Sequence, residues 1–278
     1  MSEDLVAVVV DYHAGEVLTR CVESLRANGV SVVVVVENGE PGSVPPAARA
    51  AGARVVSPGV NLGYGGGVNR GVAWAPSSTY LLVSNPDVVV HDGAVGELVR
   101  YLEGHPSVAL AGPRILSRDG STYPSARVFP NVWLAGLHAL AAPWWPQNPA
   151  TRRYRSPHPD GSPDWVSGAF FVVRRIAFER AGGFDERYFM FAEDMALCWE
   201  LRQLGYEVAY VDEAVVTHDE GVSRALAPRS MRVAHHTSAL RFEWHTARGF
   251  RRALAPVAVL VLAVRLVAST LAHPRRVD

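Results

Sequence analysis

The sequence predicts an α/β fold with a mostly parallel, doubly wound sheet, and its opening segment carries the main evidence. The β-branched runs Leu5–Val10 and Ser31–Val36 have the length and composition of buried parallel strands. Between them, Val17–Asn28 has apolar residues at helical spacing, and Gly29 provides a stop. Such a strand–helix–strand unit implies a sheet whose ligands bind beyond the carboxyl ends of its strands.

The alternation of strands and helices continues further along the chain. Strands are predicted at Arg54–Ser57, Tyr80–Ser84 and Val108–Pro113, with a helix around Gly93–Glu103. Leu116–Pro163 is different, because it is rich in Pro, Arg and aromatic residues and lacks regular periodicity. We expect it to be an insertion over the functional site, with a short helix near Val132–Leu140, since long loops are usually functional or disordered and its aromatic content argues against disorder.

Composition narrows the class of protein. Of the 278 residues, 49% are hydrophobic, which is enough for a large core. The 27 basic residues, all of them Arg, balance 27 acidic ones, so no nucleic-acid-binding surface is expected. Cys21 and Cys198 show no metal-binding spacing and indicate buried thiols of a reducing compartment. The acidic N-terminus runs straight into a strand, which argues against a signal peptide and for a cytoplasmic location.

A glycine-rich stretch, Asn61–Gly71, follows a predicted strand and opens a helix. Glycines let backbone N–H groups approach a ligand closely, and a helix N-terminus favours an anion. The spacing does not fit G-x-G-x-x-G, which disfavours a dinucleotide-binding fold. A tight strand-to-helix turn that binds no ligand explains these glycines equally well.

Asn85-Pro86-Asp87 directly follows the predicted strand Tyr80–Ser84. Because proline cannot continue a central ladder, Asp87 is presented at the carboxyl end of that strand. A carboxylate there is suited to hold a divalent ion that bridges two phosphates and neutralises a leaving diphosphate. The alternative is an Asp that caps a turn, the commoner role of such a tripeptide. The position of the motif between the glycine-rich stretch and a later carboxylate pair favours the metal.

The segment from Trp165 to Asp194 predicts an apolar strand, a short helix and a Gly-Gly turn that delivers two adjacent carboxylates to a helix start. Adjacent residues at a helix start lie on different faces, so one can face a substrate while the other binds protein. Taken alone, Glu193 and Asp194 fit a helix cap with a surface salt bridge better. Downstream, His218 ends a predicted strand, and it is structural unless a metal-binding Asp lies nearby.

In this order, the motifs resemble the family-2 glycosyltransferases of the GT-A fold, in their rhamnosyltransferase branch. The resemblance covers residues 5 to about 245 and rests on Asn-Leu-Gly-Tyr…Asn-Arg-Gly, Asn-Pro-Asp-Val, Val-Ser-Gly-Ala-Phe-Phe, Gly-Gly-Phe-Asp-Glu-Arg-Tyr-Phe-Met and Glu-Asp. Less general features, among them Asp119–Arg127 and Ala234-His-His, are similar to actinobacterial enzymes that add L-rhamnose to N-acetylglucosaminyl-diphospho-decaprenol. The resemblance implies inverting transfer from dTDP-β-L-rhamnose in the synthesis of the linker between peptidoglycan and arabinogalactan.

The resemblance also implies roles for individual residues. Asp194 is the expected general base, with Glu193 beside it, and Asp87 and His218 are the expected ligands of a divalent metal, Mg²⁺ or Mn²⁺. The residues expected to bind the nucleotide and donor are Asp11, Tyr12, Glu37, Asn61, Gly63, Asn69, Arg70 and Asn85. Those expected to bind the acceptor are Trp165, Gly168 and Asp185.

Three positions depart from the family pattern. Glu37 stands where relatives have an Asp that contacts the nucleobase, and Asp11 stands where they have Thr or Asn. Ala196 replaces a further Asp that usually follows the Glu-Asp pair. These differences keep open a catalytically altered or inactive homologue that acts as a nucleotide-sugar-binding or scaffold protein. A nucleotidyltransferase of the same architecture is disfavoured, because Tyr12–Val17 contains no basic loop.

The chain changes character after residue 225. Leu254–Ala272 is a long apolar segment flanked by arginines, with Arg265 near its middle. A charge at mid-span costs about 2.5–3.5 kcal/mol on insertion, so we expect residues 248–276 to lie in the membrane interface without crossing it. The alternative is a helix packed on the catalytic domain. The predicted division is a catalytic domain over residues 1–225 and a membrane-associating helical segment over residues 226–278.

The expected partners follow from the resemblance and from this terminal segment. They are a nucleotide-sugar donor, a polyprenyl-diphosphate-linked acceptor and a membrane surface. The expected location is the cytoplasmic face of the plasma membrane, with peripheral attachment. The oligomeric state is left open, a homo-oligomer included.

Overall fold

The computed structural model describes residues 4–129, 161–219 and 228–249, with isolated positions at 145, 147–149, 152, 253, 256 and 260. The strands are β1 (Leu5–Asp11), β2 (Val32–Glu37), β3 (Ala53–Val56), β4 (Tyr80–Ser84), β5 (Val88–Val90), β6 (Val108–Ser117), β7 (Thr122–Tyr123), β8 (Ala126–Arg127), β9 (Trp165–Val166), β10 (Phe170–Arg174) and β11 (Glu207–His218). The helices are α1 (Glu16–Ala27), α2 (Pro46–Ala50), α3 (Gly63–Trp74), α4 (Ala94–Gly104), α5 (Arg175–Arg180), α6 (Glu193–Gln203) and α7 (Pro228–Thr246).

Within these residues, nine strands form one sheet in the order β3-β2-β1-β4-β10-β6-β11-β5, with β7 paired to β6. The expected parallel arrangement holds from β3 to β4, and again between β6 and β11. β10 differs, because it runs antiparallel to both β4 and β6. Phe170 pairs with Ser84, so β10 begins beside the carboxyl end of β4 and has to run back along it. The second half of the sheet is therefore mixed.

β6 extends further than its sequence predicts. Proline lacks a backbone N–H group, and Pro113 was therefore the predicted end, yet the strand continues to Ser117. The pairing of β6 with β11 shifts register between Val211 and Val215, next to the proline. A bulge in the neighbouring strand thus accommodates the missing donor, and it lets β11 reach His218 at the same edge as the end of β6.

Core clusters cover both faces of the sheet, as a doubly wound fold requires. Along β1, Ala7 and Val9 pack towards α1 and α4, whereas Val8 and Val10 pack towards α3 and α6. This alternation is the two-residue period of a strand buried on both sides. The two cysteines are free and buried, one in each cluster, as expected.

Several expectations fall on residues that the structure does not describe. The predicted helix near Val132–Leu140 lies there, as do most of the insertion and nearly all of Leu254–Ala272, including Arg265. In the described part of the chain, no helix is both long enough and apolar enough to cross a bilayer. The membrane-interface assignment of the terminal segment stays a prediction.

Candidate active site

Four of the carboxylate and imidazole groups singled out in the sequence lie at or just beyond the carboxyl ends of strands. Asp11 ends β1, Glu37 ends β2, Asp87 follows β4 and His218 ends β11. These strands run in the same direction, so their carboxyl ends share one edge of the sheet. This edge is where ligands bind in open α/β sheets.

The two predicted metal ligands meet at this edge. Residue 218 of β11 pairs with residue 88 of β5, which brings His218 beside Asp87. The distance from His218 Nε2 to Asp87 Oδ1 is 3.0 Å, and from the same nitrogen to Asn85 Nδ2 it is 3.2 Å. Both partners of the His–Asp pair are largely buried. The fold thus brings His218 to a motif that lies more than 130 positions earlier in the sequence.

The chemistry of this group fits a divalent cation. His218 Nε2 carries either a proton or a lone pair, so it cannot both donate to Asp87 and accept from Asn85. Turning the Asn85 amide about its axis would place a carbonyl oxygen next to the carboxylate and the imidazole nitrogen. Oxygen and imidazole ligands of this kind suit Mg²⁺ or Mn²⁺. No group of three acidic, His or Cys side chains that could hold a metal ion is found in the described ranges, so an ion held here would also need oxygen ligands from outside these side chains.

The carboxylate pair is presented by a turn with an unusual backbone. Phe191 and Ala192, the two residues before α6, have φ values of 67° and 64°. Left-handed backbone costs roughly 1–2 kcal/mol for each non-glycine residue, so a turn of this kind persists only where its surroundings hold it. Such strain clusters at functional sites, and here it sets the direction in which Glu193 and Asp194 leave the turn.

Asp194 is partly buried and held by backbone donors. Gly168 N–H donates to Oδ2 at 2.8 Å, and Met195 N–H donates to Oδ1 at 2.8 Å. Burial raises the pKa of Asp194 above its ordinary value, and these two hydrogen bonds partly offset the rise. A carboxylate that is oriented by backbone and has a raised pKa is suited to accept a proton near neutral pH.

Glu193 has a different environment although it is the neighbouring residue. Its side chain is buried, and Oε2 has no hydrogen-bond partner among the described residues. Burial, with the charge of Asp194 as a second cause, raises the pKa of Glu193 to about 8. Burial thus favours the protonated form of Glu193. Because Glu193 is buried and α6 has no side-chain hydrogen bond at its cap, a helix cap with a surface salt bridge does not describe this residue.

Tyr64 joins the metal pair to the carboxylate pair. Its hydroxyl donates to the Gly168 carbonyl at 2.6 Å, so Tyr64 and Asp194 hold the same backbone segment. Burial raises the pKa of Tyr64 strongly, and the charges of Glu193, Asp194 and Asp87 raise it further. The charges of the predicted base and of the predicted metal ligand thus both raise the pKa of the same tyrosine.

The glycine-rich stretch is explained largely by packing. A Cβ atom at Gly71 would lie 2.4 Å from Val8 Cγ1, and one at Gly67 would lie 2.9 Å from Val10 Cγ1, so α3 lies very close to the sheet. At its start, Asn38 and Asn61 accept the N–H groups of Leu62 and Gly63.

Protein atoms therefore occupy the first donors of α3. The N–H group of Tyr64, the next residue, donates to the Phe189 carbonyl at 3.0 Å. With these donors satisfied by protein, the helix start is not an open anion site. The glycines give close packing, and Gly63 in particular admits the backbone of the 184–192 turn.

Two residues predicted to bind the donor have structural partners. Asn69 Nδ2 donates to Phe184 O at 2.9 Å, and Asn69 Oδ1 accepts Phe184 N–H at 2.9 Å. Asn69 therefore holds the Gly-Gly turn by both ends of its amide. Arg70 lies on the exposed face of α3, with its guanidinium carbon 5.9 Å from the centre of the Trp74 ring. The donor-binding role of both residues stays a prediction.

The residues expected at the nucleotide lie at the ends of β1 and β2. Glu37 accepts hydrogen bonds from Ser57 Oγ at 2.6 Å and Val44 N–H at 2.9 Å. Burial alone would raise the pKa of Glu37, but these hydrogen bonds outweigh it and the pKa is lowered. Glu37 thus organises its own loop.

Asp11 and Tyr12 differ in exposure. Asp11 Oδ2 is buried without a hydrogen-bond partner in the described ranges, and burial raises the pKa of this group. Tyr12 is exposed, with its ring centre 4.7 Å from that of His13.

The three residues expected to bind the acceptor also have protein partners. Trp165 is buried, and its indole N–H donates to Val128 O at 3.2 Å. Gly168 positions Asp194, as described above. Asp185 accepts from the guanidinium of Arg187, with the closest contact at 2.6 Å. Of the three, Gly168 is the one that contacts a predicted catalytic group, and the acceptor-binding role of all three stays a prediction.

The sequence did not single out several residues that build the site. Asn38 donates to Asn61 Oδ1 and to Gly63 O, and it thereby shapes the start of α3. The charge of Arg127 lowers the pKa of Asp194, against the effect of burial. Arg127 ends a stretch that carries the family resemblance and Asn38 follows Glu37, but their partners are distant in sequence, so no local signal marks them.

Ala196, which replaces an acidic residue of the family pattern, lies in an apolar cluster. It is 4% exposed and packs with Tyr188, Ala192 and Phe242. A carboxylate at this position would be buried among apolar side chains, which is costly without a partner. The absence of the acid is thus consistent with the packing of α7 against α6.

Comparison with known proteins places this arrangement in a family context. A sequence profile described as "Glycosyltransferase like family 2" matches residues 3–234. The chain is 38% identical over 262 residues to the N-acetylglucosaminyl-diphospho-decaprenol L-rhamnosyltransferase of Mycobacterium tuberculosis, covering 87% of this chain and 84% of that protein. It is 27% identical to the rhamnosyltransferase WbbL of Escherichia coli K12, covering 72% of this chain and 73% of that protein.

A solved structure gives the same result for the fold. The mannosyltransferase PcManGT from Pyrobaculum calidifontis, in complex with GDP-mannose and Mn²⁺, superposes with a TM-score of 0.62. The match covers 99% of this chain and 77% of that one at 15% identity. The predicted GT-A fold is confirmed.

Proposed function

The chain belongs to the family-2 glycosyltransferases, and from this premise we propose that it transfers L-rhamnose from dTDP-β-L-rhamnose to a polyprenyl-diphosphate-linked N-acetylglucosamine. The similarity to the mycobacterial rhamnosyltransferase over most of both chains carries this choice of sugar and acceptor. The reaction would belong to the synthesis of the cell-wall linker.

Asp194 is the proposed general base. It takes the proton of the acceptor hydroxyl as that oxygen attacks the anomeric carbon from the face opposite the diphosphate. The bond from the anomeric carbon to the diphosphate oxygen breaks, its electron pair leaves with the nucleoside diphosphate, and the configuration inverts. The Gly168 and Met195 N–H groups hold the carboxylate in place for this step. Glu193, buried and protonated, supports the turn.

Asp87 and His218, with the Asn85 amide beside them, are the proposed holders of Mg²⁺ or Mn²⁺. Such an ion, when bound, neutralises the charge that develops on the leaving diphosphate. Asp11, Tyr12 and Glu37 stand at the nucleotide end of the same edge in this proposal. The chain's part is to place the metal holders at the edge of the sheet and the base at the start of α6.

We place the reaction at the cytoplasmic face of the plasma membrane. The acceptor carries a polyprenyl chain and has to be met at a bilayer, and the arginine-flanked apolar segment suits peripheral attachment there. Because this segment lies almost wholly outside the described residues, the support for its role is its sequence.

A donor panel tests the function. The full chain is offered dTDP-rhamnose, GDP-mannose and UDP-N-acetylglucosamine, each with a lipid-linked N-acetylglucosamine acceptor, with Mg²⁺, Mn²⁺ or excess chelator. We expect transfer from dTDP-rhamnose only, and loss of transfer both in chelator and in Asp87→Ala. The matched control is Asp92→Ala, which changes an exposed residue soon after the same motif.

Three results would contradict the proposal or part of it. Preferred transfer from another donor would make the sugar assignment wrong. Nucleotide binding without transfer from any donor would favour the alternative function, a nucleotide-sugar-binding homologue. Full activity of Asp87→Ala would remove the metal assignment alone.

A further inference from the structure

Helix α7 packs against the turn that leads into the carboxylate pair. Ser238 Oγ donates to the Met190 carbonyl at 2.8 Å. Phe242 is 2% exposed and packs with Tyr188 and Ala192. The ring of His235 lies edge-on to that of Phe191, with 5.5 Å between their centres. One helix thus contacts the turn at Tyr188, Met190, Phe191 and Ala192.

This turn is the one with two consecutive left-handed, non-glycine residues, Phe191 and Ala192. Backbone in this conformation needs neighbours that hold it. On one side, Phe189 O accepts the Tyr64 N–H group of α3, and Gly63 leaves room for the backbone there. On the other side stands α7. The turn is clamped between two helices, and α6 begins at the next residue.

The α7 residues that form the clamp lie just beyond the end of the matched family profile. The family profile ends at residue 234, whereas the hydrogen bond and the buried aromatic ring come from Ser238 and Phe242. The helix belongs instead to the part of the chain that leads towards the apolar C-terminal segment. The profile thus does not include the two α7 residues that contact the turn before the proposed base.

We propose that Ser238 and Phe242 are positioning residues for Asp194, so that α7 sets the direction of the base. A shift of the turn at Met190–Ala192 moves the first turn of α6 and thereby the Asp194 carboxylate relative to Gly168. The inference rests on the proposed function for its kinetic part, because the base is identified only there. Its structural part stands on the contacts alone.

The kinetic test uses the full chain in detergent with a lipid-linked acceptor. Ser238→Ala should lower kcat by about 10-fold while the donor KM changes little, because a misplacement of roughly 1 Å costs up to about 10²-fold. Ser238→Thr keeps the hydroxyl and should retain most activity, and Phe242→Leu should lower kcat without unfolding the chain. His245→Ala is the matched control, since it removes a contact of α7 with Glu200 (2.7 Å), away from the turn.

A second-site change tests the role of strain directly. Glycine adopts a positive φ without steric cost, so Ala192→Gly lets the turn keep its shape with less support. Added to Ser238→Ala, it should restore part of the lost kcat. A loss of general stability would give no such rescue, because Ala192→Gly adds no contact.

The amide hydrogen of Gly168 reports the position of Asp194 without any turnover. It donates to Asp194 Oδ2, so its exchange with solvent should be faster in Ser238→Ala and in Phe242→Leu than in wild type or His245→Ala. Unchanged exchange in both variants would overturn the proposal, as would equal loss of kcat in His245→Ala. If the wild type transfers no sugar, the proposed function fails, and the exchange measurement still decides the positioning role.

Discussion

At the scale of single residues, two neighbouring carboxylates acquire different properties from their surroundings. Asp194 is partly buried and accepts two backbone N–H groups, whereas Glu193 is buried with one oxygen that lacks a partner in the described ranges. Two carboxylates one residue apart thus have different surroundings. Backbone N–H groups orient Asp194, whereas burial favours the protonated form of Glu193. Environments that separate a pair of acids in this way are typical of catalytic sites.

This difference predicts kinetic effects of different size for two isosteric substitutions. Asp194→Asn should lower kcat by roughly 10²–10⁴-fold, the usual contribution of a positioned base, with donor affinity little changed. Glu193→Gln keeps the size and the hydrogen-bonding capacity of a protonated Glu, so kcat should fall far less. Steady-state kinetics with varied donor and acceptor measure both effects. A larger loss in Glu193→Gln would mean that the two roles are reversed.

The raised pKa of Glu193 also predicts how stability depends on pH. The folded pKa of about 8 lies above the ordinary value of 4.5, so the native state keeps a proton that the unfolded chain loses between these values. The free energy of unfolding should therefore fall as pH rises through this window, by at most about 1.4 kcal/mol per pH unit. Asp194, whose pKa is also raised, adds to the fall at the lower end.

Glu193→Gln should remove most of this dependence, because the amide has no proton to lose in the window. Urea unfolding of wild type and variant at about pH 5 and about pH 9 measures it. Glu23→Gln, on the exposed face of α1, is the control that removes a carboxylate without burial. An equal loss of stability with pH in wild type and Glu193→Gln would contradict the buried, protonated state.

At the scale of elements, the glycines of α3 make two kinds of close contact. Gly71 lies against Val8 and Val36 of the sheet, whereas Gly63 lies against the backbone of Phe189 in the strained turn. The first contact belongs to the core and the second to the site. Sequence alone shows only a run of glycines in both places.

Alanine substitutions should distinguish these contacts. Gly71→Ala forces a methyl group between packed valines, so we expect a loss of about 1–3 kcal/mol of stability with normal kcat in the folded fraction. Gly63→Ala puts a Cβ 2.3 Å from Phe189 O at a position with φ of 75°, so it should displace the turn and lower kcat as well. Thermal unfolding and turnover per folded molecule measure the two effects. Normal turnover in Gly63→Ala would show that the turn tolerates the displacement.

At the scale of the whole molecule, the proposed function requires the catalytic edge to meet a lipid-linked acceptor, and the apolar C-terminal segment is the part of the chain expected to bind the membrane. Chain truncated after residue 249 keeps α7 and removes the apolar segment, so it should still bind donor nucleotide and transfer poorly to a bilayer-embedded acceptor. Binding of the full chain to anionic vesicles should weaken with salt, because each arginine near an anionic surface contributes about 1 kcal/mol. Sedimentation with anionic and neutral vesicles measures this.

The replacement of Arg251 and Arg252 by Ser is the matched control for this experiment, since it removes charge and keeps the apolar segment. Anionic binding should fall while the weaker neutral binding is retained. Extraction that requires detergent, with protease protection of the chain end beyond Arg276 on the far side, would show a span instead of peripheral attachment.

The sequence by itself determined the order of the main strands and helices, the place of Asp87 beyond β4, the place of Glu193 and Asp194 at a helix start, and the family. Local patterns suffice for these, because strand and helix periodicity, proline and glycine act over a few residues. Tertiary structure decided the direction of β10, the hydrogen-bond partners of Asn69 and Glu37, and the burial of Glu193. Burial and hydrogen-bond partners come from distant residues, 104 positions apart for Tyr64 and Gly168 and 131 for Asp87 and His218, and so no local pattern records them.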